Sequence, residues 1–66
     1  MKLGVIGAAG RMGRALVRAI DAHAETTLVA ATDRAGAAEI GADAGSLAGL
    51  GEAGVTISAD PSVFAD

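Results

Sequence analysis

The residues of this 66-residue sequence best suited to chemistry are the seven of the string Gly7-Ala8-Ala9-Gly10-Arg11-Met12-Gly13. Positions without a Cβ let a chain turn sharply from a strand into a helix and let its backbone approach a diphosphate closely. The free N–H groups of the first helical turn then point at an anion, and the helix dipole adds roughly half a positive charge there. Gly7 and Gly10 suit that arrangement, with phosphate lying over residues 10–12. Ala9 stands where the second glycine of the commonest G-x-G-x-x-G fingerprint would fall, so the loop reads G-x-x-G-x-x-G. Gly13 is expected to permit close packing of helix on strand rather than to touch a ligand. By itself such a turn also fits a tight connection with no ligand.

A second position narrows the choice. The fingerprint expects an acidic side chain about 20 residues beyond the glycine loop, at the end of the next strand, where it accepts hydrogen bonds from ribose hydroxyls. Asp33 stands there, although a strand-end carboxylate can equally cap a turn. Arg34 follows directly, and a guanidinium beside the ribose can hold a 2′-phosphate, stack on adenine, or simply be solvated. The carboxylate favours a free 2′-hydroxyl and the arginine accommodates a phosphate, so use of either NADH or NADPH is expected. Arg11 is placed to reach the adenine and phosphate region, whereas Arg14 and Arg18 read as the wet face of a helix. Glu39, Asp43, Glu52 and Asp60 lack the spacing of a metal site or an acid/base pair, and read as loop solvation and capping. No catalytic residue and no metal ligand is assigned.

These residues need strands and helices to position them. Residues 2–6 form an apolar run after one charge, as in a strand buried on both faces of a parallel sheet. From Arg11 the apolar positions Met12, Ala15, Leu16, Ala19, Ile20 and His23 recur at helical spacing, predicting a helix that ends near Ala22. His23 then packs or terminates that helix. Residues 27–31, Thr-Leu-Val-Ala-Ala, predict a second strand. Six glycines between residues 35 and 54 argue against a long regular element and leave a loop with one short helical turn. Residues 55–58 predict a short third strand, and Asp60-Pro61 a helix cap with a first-turn proline, the helix running on to Asp66. The fold class is α/β, the N-terminal part of a Rossmann-type doubly wound parallel sheet, incomplete in this chain.

Composition sets the outer limits. Sixty-six residues fall short of the ~100–200 usual for one domain, so residues 1–66 are expected to be part of a dinucleotide-binding domain, with any substrate or catalytic domain lying outside the chain. The absence of cysteine removes a disulfide framework and a thiolate zinc site, and fits a reducing, cytoplasmic setting. Five Lys plus Arg against eight Asp plus Glu give a net charge of −3, which argues against nucleic acid as a partner. The run after Lys2 is too short and too glycine-broken for a secretory signal, and no stretch approaches the ~20 apolar residues of a membrane span.

Three strings together, Gly-Ala-Ala-Gly-Arg-Met-Gly-Arg, Thr-Asp-Arg-Ala-Gly and Gly-Ala-Asp-Ala-Gly-Ser-Leu-Ala-Gly, closely resemble the start of bacterial dihydrodipicolinate reductases, and the likeness runs through residues 54–58. The third string discriminates, because glycine loops of the G-R-M-G type also occur in sugar and amino-acid dehydrogenases. The resemblance implies that Gly7, Ala8, Ala9, Gly10, Arg11 and Met12 wrap the pyrophosphate of NADH or NADPH, with Asp33 on the ribose and Arg34 on the 2′-phosphate. Many members have glutamate where this chain has Asp33. The resemblance also implies a small cyclic imine dicarboxylate as substrate, a catalytic histidine and lysine beyond Asp66, and a homotetramer assembled through a C-terminal substrate domain. Another NAD(P)-dependent dehydrogenase, and a module that senses NADH without turnover, remain the alternatives.

Overall fold

The computed structural model describes residues 1–64. Three parallel strands lie in the order β1 (Lys2–Ile6), β2 (Thr27–Thr32), β3 (Ile57–Ser58), with α1 (Arg11–Ala22) joining the first two. A short helix, α2 (Ala44–Leu47), precedes β3, and one 3₁₀ turn, Pro61–Phe64, follows it. Parallel strands require a crossover connection, and α1 is that crossover. The register runs Ile6 to Thr32 to Ser58, which aligns the carboxyl ends of all three strands along one edge of the sheet.

One face of the sheet carries the core. Val5, Ala31 and Ile57 pack with Val17 and Ile20 of α1 and with Ala44 and Ala48 at the ends of α2. Alanine dominates this cluster, and Ile57 is its largest fully buried side chain, so the layers sit close together. The opposite face is covered only in part: the Phe64 ring lies over Gly4, Ala30 is buried beneath the turn that carries it, and Ile6 and Val29 stay exposed. The expectation of a first strand buried on both faces therefore does not hold for residues 1–64. Among the described residues, the two α-helices both contribute to the core face.

Helix α1 begins and ends where its sequence predicts, but a different stripe faces inward. Gly13, Val17 and Ile20 are buried, at i, i+4 and i+7, while Met12 and Leu16 are 75% and 46% exposed. The two apolar stripes compete, and Gly13 favours the buried one: a Cβ there would clash with the Gly7 carbonyl oxygen, so the absence of a side chain lets this face press against the loop. His23 is exposed and closes the helix, its N–H donating to the Ile20 carbonyl (3.2 Å). Arg18 is more than a solvated side chain, because its guanidinium donates to the carbonyl of Ala48 at the end of α2 (3.3 Å).

The third strand is shorter than residues 55–58. Thr56 forms an isolated antiparallel bridge with Asp43 instead, and Val55 accepts from the Ala44 N–H (2.8 Å), so the loop captures the start of the run. Asp60 caps the next turn through Ser62 N–H (2.9 Å), but that turn is 3₁₀ over residues 61–64. The expected continuation to Asp66 lies outside the described residues.

Candidate functional site at the carboxyl edge of the sheet

Because the three strand ends are aligned, the segments leaving them meet at one edge: residues 7–10 after β1, Asp33 and Arg34 after β2, and Ala59 to Pro61 after β3. Gly7 takes φ +75°, a conformation that strains any residue with a Cβ, and this turns the chain out of β1. The turn is then bonded down. Gly7 and Ala8 both donate their N–H to the Thr32 carbonyl (2.8 and 3.0 Å), and Gly10 donates back to Gly7 (3.0 Å). Ala8 is buried in the core, whereas Gly10 is exposed at the N-terminus of α1.

The bonding pattern determines which donors remain available. Ala9 N–H donates to Asp33 Oδ2 (2.9 Å), so residues 7–10 have all committed their N–H groups within the protein. The first helical bond runs from Arg14 N–H to the Gly10 carbonyl (2.9 Å). No side chain caps α1 and no acidic residue lies in its first turn. Among the described residues, the N–H groups of Arg11, Met12 and Gly13 are therefore left without partners, at the positive end of a 12-residue helix. A helix end of this kind favours an anion. The side chains of Arg11 and Met12 are exposed beside it.

Asp33 is fixed from both sides. Its own N–H donates to the Ser58 carbonyl (3.0 Å), which ties the strand end to β3. Its Oδ1 accepts from Arg34 N–H (2.8 Å) and its Oδ2 from Ala9 N–H. Those two bonds, first from Arg34 and then from Ala9, hold its carboxyl below the ordinary carboxylate range against a smaller opposing effect of partial burial, and the Arg34 charge adds to them. The sequence pattern offered turn-capping and ligand binding as rival readings of Asp33. The geometry makes the capping real and leaves further acceptor capacity on each oxygen.

Asp33 and Arg34 form a ridge between two open cavities. One, of about 380 Å³, is bounded by Ile6, Gly7, Thr32, Ala59 and Pro61. The other, of about 220 Å³, is bounded by Ala9, Gly10, Ala37 and Glu39. Both open at the carboxyl ends of the strands, where ligands bind in open α/β sheets. Gly7, Ala8, Ala9, Gly10, Arg11, Met12, Asp33 and Arg34 thus converge on one edge, and Arg14 and Arg18 do not join them. Among the described residues no group of three or more His, Cys, Asp or Glu could hold a metal ion, and no helix is long and apolar enough to cross a membrane.

Asp43 has a larger part than solvation. Its Oδ2 accepts from the N–H groups of Ser46 (2.9 Å) and Ala53 (2.8 Å), and its Oδ1 from those of Gly54 (2.8 Å) and Val55 (3.2 Å). The Asp43-x-x-Ser46 spacing signals the helix cap. The bonds from residues 53–55 come from ten and more positions away and leave no local signature. This carboxylate gathers the whole 43–55 segment and so holds β3 beside β2.

A parallel sheet whose first strand turns through a glycine-rich loop into a helix, with an acidic residue ending the second strand, is the opening portion of a Rossmann-type dinucleotide-binding domain. The sequence matches the family described as "Dihydrodipicolinate reductase, N-terminus" over residues 1–66, and the chain belongs to that family. It is 57% identical over 61 residues to a 4-hydroxy-tetrahydrodipicolinate reductase of Rhizobium rhizogenes and 54% identical over 61 residues to one of Agrobacterium fabrum. It is 48% identical over 59 residues to one of Alkalilimnicola ehrlichii. These alignments take in 92%, 92% and 89% of this chain and 22% of each relative, so the chain spans about a fifth of the length of the proteins it resembles.

Proposed function

We propose that this chain is the cofactor-binding segment of a 4-hydroxy-tetrahydrodipicolinate reductase, holding the adenosine and diphosphate half of NADH or NADPH. The observation that carries the reading is the set of unpartnered N–H groups of Arg11 and Met12 beside the fixed carboxylate of Asp33. The diphosphate lies over Gly10, Arg11 and Met12, where Gly10 presents no Cβ to its approach. Gly7, Ala8 and Ala9 shape the turn beneath it. Asp33 accepts from the ribose hydroxyls, and Arg34 faces the 2′ position.

When bound, the nicotinamide would supply a hydride to a cyclic imine dicarboxylate, in the route to diaminopimelate and lysine. This segment contributes placement and electrostatics. The groups that bind the dicarboxylate and deliver the proton belong to a separate substrate domain, through which the protein assembles as a cytoplasmic homotetramer.

The test is a titration of the full-length protein with NADH and with NADPH, followed by turnover with the cyclic imine. Saturable binding and oxidation of the dinucleotide support the assignment. Binding with no turnover would turn the reading into a dinucleotide sensor, and no binding would remove the site.

A further inference from the structure

The smaller cavity beside Asp33 carries an acid that the dinucleotide reading has not used. Asp33, Arg34 and Glu39 are its charged lining residues, against Ala9, Gly10 and Ala37. Two acids and one arginine therefore line one cavity. Glu39 is half-buried, and the segment that carries it is built of successive backbone turns. Ala37 N–H donates to Arg34 (3.1 Å), Ile40 N–H to Ala37 (3.2 Å) and Ala42 N–H to Glu39 (3.0 Å). Gly41 N–H then bonds the Ile57 carbonyl (2.9 Å) and Ile57 N–H bonds Ala42 (2.9 Å), which anchors the turns to β3. The backbone at Glu39 is held in place and cannot swing away with a loop.

Asp33 is equally unable to withdraw, because both of its oxygens accept backbone N–H bonds. A 2′-phosphate that turns from that carboxylate toward Arg34 meets the two cavities Arg34 lines, and Glu39 lines the smaller one. We propose that Glu39 is a specificity-determining residue that opposes the 2′-phosphate of NADPH and biases the site toward NADH. The proposal rests on the reading of Asp33 and Arg34 as the ribose edge of the site. Surface charges interact over the ~8 Å Debye length of physiological salt, so the repulsion weakens as the salt concentration rises.

The experiment measures dissociation constants of NADH and NADPH for the full-length protein and its Glu39→Gln and Glu39→Lys variants, at low and at high ionic strength. For Glu39→Gln the ratio of the NADPH to the NADH constant falls by about 3- to 10-fold at low salt and by less at high salt, and Glu39→Lys lowers it further. Each variant is read as a ratio, so a general loss of fold or affinity cancels. A ratio that stays fixed across the three proteins overturns the role of Glu39 while leaving the site intact. Absence of saturable binding to the unaltered protein, or a Gly10→Val variant that binds both dinucleotides as before, overturns the site and this proposal together.

Discussion

Ala9 and Asp33, 24 residues apart in sequence, are joined by a 2.9 Å hydrogen bond from the Ala9 N–H to Asp33 Oδ2. The bond locks the glycine loop to the end of β2, so the proposed diphosphate and ribose positions are set by one carboxylate. Asp33→Asn would present an amide N–H₂ to one of two backbone donors, and one of the bonds must break. The expected outcome is faster amide exchange at Ala9 or Arg34 and weaker binding of both dinucleotides, by a similar factor. Unchanged exchange at both amides would show that the carboxylate does not hold the loop.

The two glycines at the start of α1 should behave differently. A Cβ on Gly13 would clash with the Gly7 carbonyl oxygen and lie 2.7 Å from Ala8 Cα, both backbone atoms that cannot step aside. Gly13→Ala is therefore expected to lower stability by about 1–3 kcal/mol or more, as overpacking does. A Cβ on Gly10 meets only the Gly7 oxygen at 3.4 Å, and Gly10 has an ordinary φ of −77°. Gly10→Val should keep nearly the same melting temperature and lose affinity for both NADH and NADPH. Thermal melts and titrations of the two variants check the pair, and a Gly10→Val protein that binds normally would take the diphosphate away from this loop.

Why these parts of the site were legible, and others were not, follows from range. Gly7, Gly10 and Asp33 are conspicuous because residue type and spacing alone express their geometry: a positive φ, an open helix start, an acid at a strand end. The inward face of α1 differs from its most apolar stripe because the helix closes on the loop through Gly13, which hydrophobic periodicity does not encode. Asp43 is legible as a cap but not as the organiser of its loop, for a related reason. Its cap on Ser46 is local, but its bonds to residues 53–55 exist only once the loop has folded back. The exposed side of Ile6 fits one crossover unit, which supplies helices for a single face of a sheet whose apolar first strand reads as buried on both.

Acid should weaken the fold through the same carboxylates. Backbone hydrogen bonds, led by those from Ala53 and Ser46, lower the Asp43 pKa from 3.8 to about 2, and Asp33 and Asp60 are lowered in the same direction. The unfolded chain then binds more protons than the folded one in this range, so their contribution is present above about pH 4 and is lost as pH falls toward about 2. Denaturant melts of the full-length protein across that interval should show the midpoint dropping, with a shallower drop in Asp43→Asn. Equal pH dependence in the two proteins would mean that Asp43 does not organise residues 43–55.

Arg34 can be separated from the clamp it helps to form, because it serves Asp33 through its backbone N–H and faces the cavities with its side chain. Arg34→Ala keeps the N–H bond, and with it the fixed position of Asp33. What it removes is an exposed guanidinium, among the described residues the one cation lining either cavity. A hydrogen bond to a charged group contributes about 1.5–3 kcal/mol, and 1.4 kcal/mol is a factor of ten, so the KM for NADPH should rise about tenfold or more. The KM for NADH, which has no 2′-phosphate, should rise much less, and raising the salt concentration should narrow the gap. Steady-state kinetics with both cofactors decide the matter: equal increases would place Arg34 on the adenine or the solvent rather than at the 2′ position.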